Sequence, residues 1–438
     1  MSLYYALLRM WLHFGQSEFF IRSLSVVIAV ATLSAIYWLA RQLYDRRVAL
    51  IAAALFSFNA FSVRYAQEAR SYALFLLLAT LSSGFLLAFL REPSRRNRTG
   101  YIVFSILAAY AHFYALLLVV VQWLALRGLR TEDSEAVRGQ LRRAWMMIAI
   151  AVLSLLVFVA KTGAGPIKWI QRPGIRDVLV FYEHLAGGSN WFLLAICGVV
   201  GIAAIAPAGK KLFTRARDWR IWRVQFVLIW LFFPVALTVL LSFARPVFLG
   251  RYMIFCLPAL VILVAAGLAQ VRPAWLLGTL LAGVLLLCQQ GIVFVYGHDF
   301  DNERDASGAA SNFILDHSEP GDGVVFHIAG TRVAYEFFRS LRAAENTASP
   351  RFTGPLGPEI LFPHHGAGLD YRDFTGKPTE DWVRTIKNRR VWVMLMNNGA
   401  TDKPDPTTVM LTRVLPESFP RMVRWQFNKV EVRLYSRE

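Results

Sequence analysis

The chain has 438 residues, of which 56% are hydrophobic, 14% aromatic and only 17% charged, with a formal net charge of +18 from 47 Lys and Arg against 29 Asp and Glu. Soluble domains are about 45–50% apolar and about 25% charged, so a single soluble core is excluded, as is disorder, which needs low hydrophobicity. Residues 298–438 are near neutral, with 18 basic and 19 acidic side chains, whereas residues 1–297 carry 29 and 10. A nucleic-acid-binding protein concentrates charge on a soluble face. Here the whole excess lies in the apolar part, which argues against nucleic acid and for the cytoplasmic loops of a membrane protein.

Residues 1–23 carry Arg9 and Arg22 and lack a signal-peptide pattern; 3–14 (LYYALLRMWLHF) predict a helix lying at the membrane interface. Apolar runs follow at 24–40, 48–63, 71–90, 101–126, 144–160, 191–208, 224–244, 252–270 and 274–297, most of them near the ~20 residues needed to cross a bilayer core. The basic loops 41–47, 91–98, 127–143 and 209–223 are assigned to the cytoplasm. All four face the same side only if 101–126 is two short spans turning near His112, so about ten spans are expected. On that orientation residues 1–23 begin outside with no span to carry them across, and a preceding span is expected. The three cysteines lie in apolar runs without metal-ligand spacing, so neither a disulfide framework nor a zinc site is expected from them. Residues 298–438 alternate helix-like stretches (302–317, 378–388) with strand-like ones (324–328, 391–396, 430–435), and predict a small extracytoplasmic α/β domain.

Polar groups at membrane depth are costly, so chemistry is expected where spans meet the outer face. In 64–72 (RYAQEARSY), Glu68 is the only acid between Asp45 and Glu92 and stands among Arg64, Arg70 and Tyr72. On a helix Arg64 and Glu68 would be four apart and able to pair. The cluster reads either as a structural ion pair or as a carboxylate that handles substrate beside a phosphate-binding Arg. His112 sits at the expected hairpin apex. Lys168 and Arg172 belong to an outer loop, and Arg251 and Tyr252 open a span after the turn RPVFLGRY. Arg offers forked donors to phosphate oxygens and Lys a point charge. For each of these cations the bland alternative is solvation among lipid headgroups.

Five segments, LYYALLRMWLHFGQSEFFIRSLSV (3–26), YAQEARSYALFLLLA (65–79), YAHFYALLL (110–118), KWIQRPG (168–174) and RPVFLGRYMIFCLPAL (245–260), together resemble the GT-C superfamily of polytopic glycosyltransferases, in particular the bacterial protein O-mannosyltransferase and aminoarabinose transferase branch. The resemblance implies an α-helical polytopic bacterial inner-membrane enzyme with the parts 1–23, 24–297 and 298–438. Its reaction would move a sugar from a polyprenyl-phosphate donor to a lipid, glycan or protein acceptor on the extracytoplasmic side, in a single inverting displacement. It implies that Glu68 orients the acceptor or a cation, and that Arg70, Tyr72, His112, Lys168, Arg251 and Tyr252 line the donor-phosphate cavity; Arg172, from the outer loop's own residues, is a further candidate for binding the donor phosphate. The cofactor is left open, a divalent cation included. The family's first span and first acidic loop, which carries its general base, have no counterpart here, since the chain opens at Met1-Ser2-Leu3-Tyr4-Tyr5. A secondary transporter, a lipid flippase and a non-catalytic membrane assembly subunit are the competing readings.

Overall fold

The computed structural model describes residues 2–128, 134–162, 170–188, 191–213, 218–299, 306–348, 357–363, 378–396 and 406–437. The chain divides into two units, Met1–Val295 and Tyr296–Glu438, each with its own hydrophobic core.

In the first unit a short helix, α1 (Ser2–Trp11), precedes α2 (Glu18–Leu43). The Ser17 hydroxyl accepts the Phe20 N–H at 3.2 Å and starts α2 there, so the helix begins upstream of the apolar run expected from residue 24. Asp45 caps α3 (Arg46–Ser57) in the same way, its carboxylate accepting from Val48 N at 2.9 Å. Asn59 then opens α4 (Ala60–Ala66) at a 60° bend. Next come α5 (Tyr72–Arg91), α6 (Arg95–Ala111), α7 (Ala115–Gly128), α8 (Ser134–Thr162), α9 (Ile175–Leu185), α10 (Trp191–Ile205), α11 (Trp219–Ala244), α12 (Leu257–Leu268) and α13 (Ala274–Phe294). Among the described residues seven helices are long and apolar enough to cross a membrane, or eight if the bent pair α3–α4 counts as one span. This is a multi-pass membrane protein. The expectation of about ten spans is met at that number only if α6 and α7 are added, and with 17 and 14 residues both are shorter than the ~20 that cross a bilayer core.

The chain reverses between α6 and α7. Tyr101 Oη donates to Gln122 Oε1 at 3.0 Å, whereas a continuous helix would hold the two residues about 30 Å apart. Gln122 Nε2 also donates to Ser82 Oγ and Ser83 Oγ, both at 3.2 Å, and Ser82 Oγ shares a hydrogen bond of 2.8 Å with Ser105 Oγ. Each of these buried groups finds a partner, which is what makes polar side chains tolerable in an apolar interior. The network ties α5, α6 and α7 into one block, with His112 at its apex.

The centre of the unit is α12, which packs on α3, α10 and α11. Gly267 allows this contact: a Cβ there would lie 2.1 Å from the Val200 carbonyl oxygen in α10. Gly267→Val is therefore expected to cost about 1–3 kcal/mol through overpacking. The measurement is the thermal unfolding midpoint in detergent, and an unchanged midpoint would show that α10 and α12 do not meet backbone to backbone. All three cysteines are free and buried.

The second unit is a five-stranded mixed sheet in the order β2-β1-β3-β5-β4, built from β1 (Gly323–Phe326), β2 (Glu359–Phe362), β3 (Arg390–Met396), β4 (Arg421–Phe427) and β5 (Val430–Ser436). β1 runs parallel to β2 and β3, while β5 is antiparallel to β3 and β4. The strand alternation sends Val325, Val391 and Val393 to a core shared with α17 (Pro406–Ser418). It sends Val324, Phe326, Trp392 and Met394 to an opposite core shared with α14 (Ser307–His317) and α15 (Ala329–Ala348). Both faces are thus covered, as a parallel β1–β3 centre requires. The unit also contains the short α16 (Glu380–Arg384).

Candidate functional site

Four segments of the first unit converge on one aromatic, cationic cluster. The first is the turn from α4 into α5. Asn59 Oδ1 accepts from Ser62 N at 3.0 Å and Asn59 Nδ2 donates to Leu185 O at 3.0 Å, which sets the tilt of α4. α4 stops at Ala66, so Arg64 and Glu68 do not share a helix and the four-residue helical spacing anticipated for them does not apply. Glu68 instead lies in a turn held from below: Tyr4 Oη hydrogen-bonds Ser25 Oγ at 2.7 Å, and Ser25 Oγ donates to the Glu68 carbonyl at 2.7 Å. This Tyr4–Ser25 support was not read from the sequence. The only signal available was one buried-type tyrosine in an otherwise amphipathic opening helix.

α5 begins at Tyr72, whose side chain is fully buried. Arg70 lies over the Tyr72 ring at 5.1 Å, and Tyr65 packs edge-on to Tyr72 with ring centres 5.0 Å apart. The second segment is the α6–α7 turn. His112, also fully buried, stands 6.2 Å from the Tyr72 ring and stacks on Phe75 at 5.0 Å. The third is the turn after α11. Ser242 Oγ accepts from Val247 N and Phe248 N at 3.1 and 3.0 Å, and Tyr114 Oη donates to Val247 O. That anchored turn delivers the fourth segment, the 3-10 turn Gly250–Cys256, where Arg251 lies over Tyr252 at 5.8 Å and Tyr252 meets His112 at 4.8 Å.

The polar atoms of this cluster have a clear directionality. The Tyr114 N–H donates to His112 Nδ1 at 3.3 Å, so the neutral ring carries its proton on Nε2. His112 lies in the turn between helices, where burial, with the Arg70 charge adding to it, pushes its pKa down to about 3. The imidazole is therefore a neutral N–H donor. Its Nε2 and the Tyr72 Oη are buried and have no hydrogen-bond partner among the described residues. The charges of Arg70, Arg251 and Glu68 all act on Tyr72. The N-terminus of α5, with its unsatisfied N–H groups, adds positive potential at the same place. Two guanidiniums, an imidazole N–H, a phenol and a helix N-terminus suit an anionic group, and one half-buried carboxylate stands beside them.

Of the residues singled out from the sequence, the fold brings together Glu68, Arg70, Tyr72, His112, Arg251 and Tyr252. Arg172 is exposed, and no contact among the described residues joins it to the cluster. Lys168 lies outside the described residues. Among the described residues no group of three or more His, Cys, Asp or Glu side chains could hold a metal ion.

The chain has the polytopic fold of the GT-C glycosyltransferases, as its likeness to two solved structures shows. Among solved structures the chain is similar to ArnT from Cupriavidus metallidurans in the apo state, with a TM-score of 0.58 at 13% identity over 99% of this chain and 87% of that one. It is similar to the same protein bound to undecaprenyl phosphate, with a TM-score of 0.53 at 13% identity over 97% and 85%. At this identity the likeness establishes the fold. No family model matches the sequence, and no curated protein matches it.

Proposed function

We propose that the protein transfers a sugar from a polyprenyl-phosphate carrier to an acceptor hydroxyl at the membrane face where Arg70, His112 and Arg251 meet. The observation that carries this reading is the pair of buried polar atoms without a partner among the described residues, His112 Nε2 and Tyr72 Oη, with Arg70 over the Tyr72 ring and Arg251 over the neighbouring Tyr252 ring. Buried polar groups are nearly always bonded, so such a pair beside fixed cations marks a ligand position, and the cations make that ligand an anion. The undecaprenyl phosphate bound by the ArnT of similar fold is a ligand of that kind.

In the reaction the acceptor hydroxyl oxygen attacks the anomeric carbon, the carbon–oxygen bond to phosphate breaks with its electron pair leaving on the carrier, and the hydroxyl proton ends on the released phosphate monoester. A single displacement inverts the anomeric centre. Arg70 and Arg251 meet the charge that grows on the leaving phosphate, and this is where fixed cations contribute most to a rate. His112 Nε2 and Tyr72 Oη donate to phosphate or sugar oxygens, Tyr252 packs against the imidazole and fixes it, and Glu68 accepts a hydrogen bond from the acceptor hydroxyl and orients it. We assign this face to the extracytoplasmic side of a bacterial inner membrane, from the basic loops at the other helix ends, and the unit 298–438 to the same side. The parts 1–23 and 24–297 then form the membrane portion. The acceptor class is a lipid, a glycan or a protein.

The test is membrane vesicles containing the protein and a radiolabelled polyprenyl-phosphate sugar. Label appearing on an acceptor, with release of the polyprenyl phosphate, is the expected result. Label that crosses the bilayer still attached to its carrier would make the protein a flippase, and no movement at all would leave a non-catalytic assembly role.

A further inference from the structure

A second feature lies at the opposite end of α5 from Tyr72. The helix has 20 residues, so its two ends are about 30 Å apart, the thickness of a bilayer core. Along the half that ends at Arg91, α2 and α5 form an open groove of about 730 Å³, with Ala31 and Ala35 on one wall and Leu77, Leu81 and Ala88 on the other.

Two glycines build it. A Cβ on Gly84 would lie 2.2 Å from the Trp38 ring, and a Cβ on Gly100 would lie 2.4 Å from the Phe85 ring. Both aromatics are thus sunk against the next helix and meet edge to face at 5.0 Å as the groove floor. A side chain at either position would push its ring into the groove. The α2 wall from Ala31 to Gln42 is about 16 Å long at the helical rise, close to the ~15 Å hydrocarbon depth of one leaflet.

The groove ends on polar side chains of mostly positive sign. Gln42 Nε2 is bonded to Gly84 O at 3.1 Å, and Asn97 Nδ2 to Glu92 O at 3.0 Å, so both amides already serve the walls. Arg91 is steadied by the Gln42 carbonyl and by the Trp219 ring at 5.1 Å. Arg96 is exposed beside it, with Glu92 as the one acid among the lining residues.

We propose that this groove binds an anionic phospholipid of the leaflet opposite the transfer site, one acyl chain lying over Trp38 and Phe85 and the phosphate meeting Arg91 and Arg96. Shape and charge select the same molecule: the apolar length matches one leaflet, and basic pockets between spans recruit anionic headgroups. A zwitterionic lipid fits the stem equally but gains less from two guanidiniums.

The experiment uses the full chain in a neutral detergent, with phosphatidylglycerol or phosphatidylcholine of matched acyl chains added and the thermal unfolding midpoint recorded. Phosphatidylglycerol is expected to raise the midpoint several degrees more than phosphatidylcholine. Arg96→Gln, on an exposed side chain, is expected to remove that difference while leaving the phosphatidylcholine response. Ala31→Trp, from the exposed face of α2, is expected to reduce the response to both lipids by filling the stem. Equal shifts with the two lipids in the wild-type protein would overturn the proposal, as would an Arg96→Gln protein that keeps the full difference.

Discussion

Arg251→Gln is expected to lower the rate of sugar transfer about 10²–10³-fold, the cost typical of removing one fixed donor that meets charge developing in a transition state. Arg251 sits at the start of the span Gly250–Leu268, half-buried and placed over the Tyr252 ring, and Tyr252 touches His112. The turn that carries it is anchored by Ser242 and Tyr114, so the guanidinium is held in position before substrate arrives. Arg251→Lys keeps the charge but loses the fork, and an intermediate rate is expected. The discriminating measurement is the rate at saturating donor. If the deficit vanishes there, Arg251 only binds the donor; if it persists, Arg251 stabilises the departing phosphate. A wild-type kcat/KM in Arg251→Gln would remove it from the mechanism.

Glu68→Gln is expected to lower transfer about 10²-fold, because a hydrogen bond to a charged group is worth about 1.5–3 kcal/mol. The effect should fall on the acceptor side: acceptor KM or the rate at saturating donor changes, while donor binding stays near the wild-type value. Glu68→Asp should recover part of the activity, since it restores the charge on a shorter arm. The control is the Glu68 backbone, whose carbonyl accepts from Ser25 whatever the side chain is. The turn should therefore survive the substitution. Unchanged acceptor kinetics would take Glu68 out of the reaction and leave it a structural ion-pair residue.

Much of the architecture was legible because lipid enforces it. Runs such as 71–90 and 274–297 reappear as α5 and α13 because a helix that satisfies its own backbone is the one local solution in hydrocarbon. The turn at His112 followed from the sign of the loops around it, and the Tyr101–Gln122 bond gives it geometry. In the second unit β1, β3 and β5 were readable from their apolar, β-branched runs. β4 was not, since RMVRWQF mixes charge into an edge strand that is largely exposed. β2, α15 and α17 were also missed. Their order depends on the two cores they cover more than on their own composition.

The site divides in the same way. Glu68, Arg70, His112, Arg251 and Tyr252 stood out as polar groups at the ends of apolar runs, because placing charge there carries a cost that composition reveals. What sequence could not supply was the helix stop at Ala66, which takes Glu68 off the Arg64 helix and hands its backbone to Tyr4 and Ser25. Nor could it tell which cations converge. Arg70 and Arg251 are 181 positions apart in the chain and act on one tyrosine, while Arg172 is left exposed. By itself the sequence determined that residues 1–297 cross a membrane several times and that their charge lies at the ends of the spans, because both follow from the local energetics of burial. The tertiary structure decided which ends meet, since that depends on helix packing through contacts such as Gly267 on Val200, and no short stretch of chain contains both partners.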